Sequence, residues 1–385
     1  MKALFISNDP SIFDPASAAR TRMQAYAAAI GTLYVLSRAN VKDVSTYRDG
    51  VQEGGLILYA VGGGKLMRLL ALMQKAHALV KREGIDVVSA QDPFEYGWVA
   101  ARAVRGTAAK LHLQVHTDFC SPWFTRASVM RSAHVPMPLL NKIRLRIADA
   151  VLPRAQGVRA VSERVRASLA SRYGNRIAPV AVIPIATAIS IPPPVALPPH
   201  PFPFALITAS RLEPEKRIED IIDALARLAL PYPSVGLFIV GEGRSRSALE
   251  QRVRRLRLTD RVVFLGKRSD VLGLMQGAQA YIQASAYEGY GLTLIEAALA
   301  RIPIITTDVG IVGEVLIGYE DALVAPPGDP AALAVHIAGL IEDMQSRSLL
   351  VMNAERKVKA HLAGVANQPQ LIAQDLARTI AGTAP

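Results

Sequence analysis

Two glutamates eight residues apart, Glu288 and Glu296, bracket the run Glu288-Gly-Tyr-Gly291-Leu-Thr-Leu-Ile-Glu296. The pattern predicts a strand end, a loop tightened by two glycines, and a helix starting around Gly291. N–H groups left open at a helix start, together with its dipole, make a place for an anion such as phosphate. Glu288 then lies on the loop and Glu296 about one turn inside the helix. Both carboxylates can face one ligand from different directions and accept hydrogen bonds from the hydroxyls of a sugar or ribose. An ordinary helix cap beside a solvated glutamate fits the same spacing. A second window, Ser210-Arg211-Leu-Glu-Pro-Glu-Lys216, follows a short apolar strand, which puts two cations at a strand's carboxyl end. An arginine fork and a lysine point charge suit a diphosphate and can neutralise charge on one that departs. A surface helix start with mixed charges is the alternative there.

Two weaker windows belong to the same half. Val240-Gly241-Glu-Gly243 reads as strand, glycine turn and helix, and Phe264-Leu-Gly266-Lys267 ends a strand where backbone groups can lie beside a base. In the other half, Gln114-Val-His116-Thr-Asp118-Phe119 closes a buried strand. A neutral His116 imidazole, or its carbonyl, can orient a hydroxyl there, and a satisfied core histidine fits equally. Asp118 can orient His116 or an acceptor hydroxyl. After the first strand, Ser17 and the N–H groups of a helix start can reach a ligand, with Arg20 adding charge. Gly62-Gly-Gly-Lys65 is not a phosphate-binding P-loop, since the upstream glycine is missing and Leu66 replaces Ser or Thr. No Asp-x-Asp occurs, and the seven histidines and one cysteine have no zinc-site spacing. A metal-independent protein with no cofactor is expected.

These residues must be held by elements the rest of the chain supplies. Ile191-Pro-Pro-Pro-Val-Ala-Leu-Pro-Pro-His-Pro-Phe-Pro203 carries seven prolines in thirteen residues, which predicts a stiff extended linker. On either side, short aliphatic runs alternate with amphipathic stretches, the pattern of parallel strands joined by helices. Strands are expected near 2–7, 32–37, 56–60, 85–90, 110–116, 157–161 and 180–184. After the linker they fall near 204–209, 235–240, 261–265, 279–283, 303–306 and 321–324. Helices are expected near 18–30, 63–83, 95–104, 136–155, 162–173, 216–229, 245–256, 269–276, 291–301 and 330–345. The fold class is α/β, with two doubly wound domains, residues 1–190 and 204–363, and a tail over 364–385 that returns to the first. Ligands belong at the carboxyl ends of the strands and in a central cleft that the domains face.

Taken in order, the windows of the second half resemble family 4 glycosyltransferases with the GT-B fold of two Rossmann-like domains. The resemblance rests on Arg211 with Lys216, Gly241-Glu-Gly243, Phe264-Leu-Gly266, Glu288-x7-Glu296, Pro303-Ile-Ile-Thr-Thr, Gly310 with Glu314, and Pro327-Gly-Asp-Pro330. It implies a nucleotide-sugar donor, with Arg211 and Lys216 on its diphosphate and Glu296 on the ribose hydroxyls. It also implies that Glu288 contacts the sugar, that Gly289, Tyr290, Gly291, Leu292 and Thr293 supply backbone donors, and that transfer retains the anomeric configuration. Tyr290 stands where Phe is common and Arg301 where Gly often stands, and neither removes a chemical group. In the first half a histidine placed like His116 faces the donor sugar, and Val161-Ser162-Glu-Arg164 matches the family's strand-to-helix step. The glycine pair usual after the first strand is missing, which puts close backbone approach by Ser17 in doubt. Pro184-Ile-Ala-Thr-Ala188 also departs from the usual Pro-Asn-Gly-Val-Asp. The implied activity moves a hexosyl unit from a UDP- or GDP-sugar to a hydroxyl of a glycan or lipid-linked acceptor, in cell-surface polysaccharide or glycolipid synthesis.

Composition narrows the partners. The chain has 385 residues and a formal charge of +12, of which residues 1–190 carry +13 and residues 191–385 carry −1. A basic half beside a neutral one suggests an anionic partner, although 33 arginines to 11 lysines make general arginine richness an equal explanation. The helix near 63–83 and the stretch Trp123 to Arg146 mix apolar residues with cations, so either a membrane surface or ordinary sheet packing suits them. Nucleic acid is not an expected partner. One cysteine, Cys120, fits a reducing cytoplasm, and a peripheral place on the inner face of the plasma membrane follows if the basic half meets lipid. The competing readings are a nucleotide-sugar epimerase or glycoside phosphorylase on the same fold, and a non-catalytic anionic lipid-binding protein.

Overall fold

The computed structural model describes residues 1–125, 137–186 and 189–384. Its contacts divide the chain into two units. The first contains Met1–Cys120, Leu139–Ile185 and Asn367–Pro385; the second contains Ala186–Ala366 and Ser121–Pro138, of which residues 126–136 lie outside the description.

The first unit runs β1 (Lys2–Ser7), α1 (Ala18–Ile30), β2 (Thr32–Arg38), α2 (Val41–Tyr47), β3 (Val51–Glu53), β4 (Leu56–Val61), α3 (Lys65–Glu83), β5 (Val87–Ala90), α4 (Glu95–Ala103), β6 (Lys110–Val115), α5 (Met137–Val151), β7 (Gly157–Ala160), α6 (Glu163–Tyr173) and β8 (Val180–Val182). The strands form one sheet in the order β3-β4-β2-β1-β5-β6-β7-β8, parallel except for the antiparallel edge pair β3–β4. β1, β2, β5 and β6 are buried almost end to end because helices cover both faces of a parallel sheet. Neither α2 nor β3 is expected from the sequence. α2 has only seven residues, three of them β-branched, and is held by an Asn40 side chain that accepts from the Asp43 N–H at 2.9 Å. β3 has three residues, too few to show alternation.

The second unit runs β9 (Phe204–Ala209), α7 (Ile218–Arg227), β10 (Val235–Val240), α8 (Arg246–Arg255), β11 (Val262–Gly266), α9 (Val271–Gln276), β12 (Ala280–Ile282), α10 (Leu292–Leu299), β13 (Ile304–Thr307), β14 (Leu323–Ala325), α11 (Pro330–Glu342) and α12 (Met344–Gly364). Its sheet is parallel throughout, in the order β11-β10-β9-β12-β13-β14. The order in which the strands are added reverses between β9 and β12, and the gap beyond their carboxyl ends is where such a sheet takes a ligand. The proline-rich segment is packed rather than a bare spacer. Val195 N–H donates to the Gly273 carbonyl at 3.0 Å, and Phe202 is buried over Gly236, where a Cβ would lie 2.2 Å from its ring. Its apolar residues find seats on glycines, which its prolines do not reveal.

The chain ends in α13 (Gln368–Ala381), which belongs to the first unit. Ile372 and Leu376 join the core of Phe5, Met23 and Leu33. Thr379 lies so near β7 that a Cβ on Gly157 would come 2.0 Å from its hydroxyl.

Candidate active site

The second unit gathers its site at the β9 and β12 strand ends. A cavity of about 700 Å³ there is lined by Arg211, Gly241, Lys267, Thr293 and Glu296, with Ser190, Glu242 and Arg268 among its other walls. Gly241 is required by close approach: φ is +131°, and a Cβ would stand 1.8 Å from the Ser210 carbonyl. β9 and β10 therefore end close together, with Ser210 N–H bonded to the Val240 carbonyl at 3.0 Å. Gly291, at φ +92°, turns the chain into α10. The first N–H groups of that helix, from Leu292 and Thr293, precede any carbonyl of their own helix that could take them. Thr293 instead donates its hydroxyl to Gln283 Oε1 at 3.0 Å. Burial raises the pKa of Glu296 above the ordinary carboxyl range.

Lys216 and Glu288 meet directly, Nζ on Oε1, with both side chains about five-sixths buried. Ser285 donates its hydroxyl to the same Glu288 oxygen at 2.8 Å. The sequence places these two groups on different parts of one ligand, whereas the structure pairs them. The cation expected on a diphosphate and the carboxylate expected on a sugar therefore neutralise one another here. Arg211 is 72% exposed and, among the described residues, reaches only Glu215 Oε1, at 3.2 Å, so its fork extends toward solvent. Glu215 also ties the two strand ends, because its carbonyl accepts from Ala286 N–H at 2.8 Å. Next along, Arg217 sits at φ +47°, a left-handed conformation that costs a non-glycine residue about 1 kcal/mol. Its guanidinium forks onto Asp220 and lies 5.5 Å from the Trp123 ring centroid, which fixes the turn carrying Lys216. Tyr290 hydrogen bonds through its hydroxyl to His361 Nε2 at 2.6 Å, an anchor in α12 that a phenylalanine would not have. Gly289 lies in the same loop, and the Tyr290 carbonyl accepts from Ile311 N–H at 2.9 Å.

In the first unit, His116 follows β6 immediately and is bonded through Nε2 to Gln114 Oε1 at 3.2 Å. Burial, helped by the charges of Arg159 and Arg22, pulls its pKa down to about 3, so the ring is neutral. The ring meets Gln114 here, where the sequence offered Asp118 to orient it or an acceptor hydroxyl. Asp118 is buried at the following turn and, after burial itself, is a cause of the rise of Cys120 to about 12. Arg20 also needs correction. It is 1% exposed, and its Nη2 is shared between Tyr47 Oη at 3.1 Å and Glu53 at 3.2 Å. Its place in α1 turns it toward the sheet edge, so it is a structural cation and not an acceptor-side one. Ser17 caps α1: its oxygen accepts from Arg20 N–H at 3.1 Å while its hydroxyl donates to the Ser11 carbonyl at 2.7 Å. Of the departures noted in the sequence, Thr187 and Ala188 lie outside the described residues.

Residues the motifs did not single out include Gln283, Ser285, Gln114 and Arg159. Three of these are polar residues inside or ending apolar strands, and that mismatch was the available signal. Asp92, after β5, is another, its pKa raised by burial to about 6.

Comparison with known proteins places these features in context. Residues 200–357 match the model described as glycosyl transferases group 1, and residues 32–187 match glycosyltransferase family 4. A glycogen synthase of Mycobacterium tuberculosis is 34% identical over 147 residues, 38% of this chain and 36% of the relative. An N-acetyl-alpha-D-glucosaminyl L-malate synthase of Bacillus anthracis is 31% identical over 138 residues, 36% of each protein. The chain thus spans about a third of the length of these curated relatives. Among solved structures, Anabaena HepE in complex with UDP and glucose superposes with a TM-score of 0.73 at 23% identity, covering 98% of this chain and 99% of that one. Sucrose-phosphate synthase from Thermosynechococcus elongatus gives 0.77 at 22%, with the same coverage.

Proposed function

Because the chain belongs to the GT-B glycosyltransferases of the family 4 type, we propose that it moves a hexosyl unit from a UDP- or GDP-sugar to a hydroxyl of a glycan or lipid-linked acceptor, with retention at the anomeric carbon. The observation that carries this reading is the cavity at the β9–β12 reversal, where Arg211, Lys267, Thr293 and Glu296 converge. Cations for a diphosphate and a carboxylate for ribose hydroxyls stand around one space of suitable size. The proposed step is a front-face substitution. The bond from the anomeric carbon to the β-phosphate oxygen breaks, the acceptor oxygen bonds to the same face, and the acceptor proton passes to a β-phosphate oxygen. Arg211 and Lys216 stabilise the charge left on the diphosphate. Lys216 must exchange Glu288 for phosphate when donor binds, which frees the Glu288 carboxylate for sugar hydroxyls. His116, neutral, orients a hydroxyl of the transferred sugar. A thermal-shift series with UDP, GDP and ADP tests the donor site: one nucleotide raises the melting temperature well above the others. No shift with any of them would remove the nucleotide-sugar reading. Product analysis with a labelled donor, with and without acceptor, separates transfer from epimerisation.

A peripheral membrane location is a second reading with its own observation. Leu66 and Met67 on α3 are 72% and 68% exposed, and Leu139 on α5 is 60% exposed, in the unit that carries the positive charge. Among the described residues, no helix is long and apolar enough to cross a membrane. Vesicles rich in anionic lipid should bind the protein at low salt and release it at high salt. Equal partitioning with neutral vesicles would leave the charge as composition.

A further inference from the structure

A chain of buried polar side chains crosses the first sheet and ends on His116. It starts on α13, where Asp375 Oδ2 lies 2.9 Å from His112 Nε2. His112 Nδ1 meets Ser89 Oγ at 2.8 Å, and Gln114 Nε2 donates to that same Ser89 oxygen at 3.0 Å. Gln114 Oε1 receives Arg159 Nη1 at 2.7 Å and faces His116 Nε2 at 3.2 Å. Ser89 and His112 are fully buried, and Arg159, Gln114 and Asp375 are at most 4% exposed. Arg159 is itself clamped, since its Nε donates to the Ile183 carbonyl at 2.9 Å and its Nη2 to the Pro184 carbonyl at 3.2 Å.

The direction of each bond follows from what each group can do. Guanidinium nitrogens only donate, so Arg159 forces the oxygen of Gln114 toward itself and the amide nitrogen toward Ser89. Ser89 accepts that N–H and spends its own proton on His112 Nδ1. His112 then donates from Nε2 to the Asp375 carboxylate. At the other end, Gln114 Oε1 can only accept, so a neutral His116 must carry its proton on Nε2. Its Nδ1 is left as the one ring acceptor. We propose that Gln114, locked between Arg159 and Ser89, is the positioning residue that fixes the Nε2–H tautomer of His116. The network would thereby make His116 an acceptor of a hydroxyl proton and not a donor. The role for that acceptor rests on the donor-side reading of His116 given above. The tautomer itself does not.

Long-range ¹H–¹⁵N NMR on the full-length protein with ¹⁵N-labelled histidine reads the tautomer directly. His116, assigned by loss of its signals in His116→Ala, should show a protonated Nε2 and an unprotonated Nδ1. In Gln114→Met, which keeps the side-chain length but removes the acceptor, the two forms should mix. With a transferable donor, kcat should then fall about tenfold, the worth of one such hydrogen bond, with donor KM little changed. Gln114→Glu restores an oxygen at that position and should restore the Nε2–H form. A proton on Nδ1 in the wild-type protein would overturn the inference, even if Gln114→Met fails to fold. An unchanged tautomer in a folded Gln114→Met would do the same. His116→Ala transferring sugar at the wild-type rate would instead sink the donor-side role while leaving the tautomer result intact.

Discussion

Lys216 and Glu288 are each other's partner in the structure, and this shapes what their removal should do. Deleting one member of a buried pair leaves the other without compensation, so part of any effect is structural. Lys216→Ala should cut kcat/KM for transfer by about 10²–10³-fold, the usual loss of one group that stabilises departing charge. Glu288→Gln keeps the shape and the hydrogen bond from Ser285 but removes the charge, and it too should reduce transfer, with the melting temperature lowered because Lys216 is left without its counter-charge. Steady-state kinetics beside thermal denaturation separates the two effects. Full activity in either folded variant would remove the pair from the site. Glu296 differs, because among the described residues it has no cation paired with it, and burial raises its pKa. Its carboxylate gains most when hydroxyls arrive with the donor.

Elements supply the positions, and here the sequence is most readable where an element is long and regular. β9 and β10 appear as continuous apolar runs because both faces are covered, and both are found at the expected residues. The loop after β12 is legible because Gly291 must take a positive φ. α12 is not legible: the sequence places its last helix of the second half over 330–345, whereas Asp343 ends α11 and caps a further helix through Oδ1, bonded to Gln345 and Ser346 N–H at 3.0 Å. The Lys216–Glu288 pair is also hidden, since 72 residues separate partners that only the β9–β12 neighbourhood brings together. α7 contains a further case. Glu219, in its first turn, is 3% exposed, and burial, aided by Asp220 and opposed by Arg217 and Arg252, raises its pKa to about 7. The folded protein therefore holds a proton that the unfolded chain releases near pH 4.5. This contribution to stability is complete below pH 4.5 and is lost as the pH rises through about 7. Glu219→Gln removes that titration, so its stability relative to wild type should rise between pH 5 and pH 8 in urea denaturation. A constant difference across that range would show that Glu219 does not hold the proton.

At the scale of the molecule, the last helix determines how the first unit is completed. Residues 367–385 are distant in sequence from the sheet they cover, yet Ile372 and Leu376 are 1% and 0% exposed within its core. Two side chains of this size contribute roughly 1.5–3 kcal/mol each by burial. Polar contacts add specificity: Tyr26 donates to Gln368 Oε1 at 2.7 Å, Gln368 donates to the Pro184 carbonyl at 2.6 Å, and Asp375 holds His112. Removing the helix would strand these buried groups without partners as well as opening the core. Against a typical domain stability of about 5–15 kcal/mol, that combination should be enough to unfold the first unit. The second unit has its own sheet and its own core, so the nucleotide site proposed there does not depend on this helix in the same way. A chain ending at Ala366 should lose amide-exchange protection in β6 and β7 while β9 and β10 stay protected. It should still give a thermal shift with the nucleotide that the full chain prefers, and transfer should be abolished. A synthetic peptide covering 367–385, added in trans, should return protection to β6 and β7. Wild-type protection there without the peptide would show that the first unit is complete without its last helix.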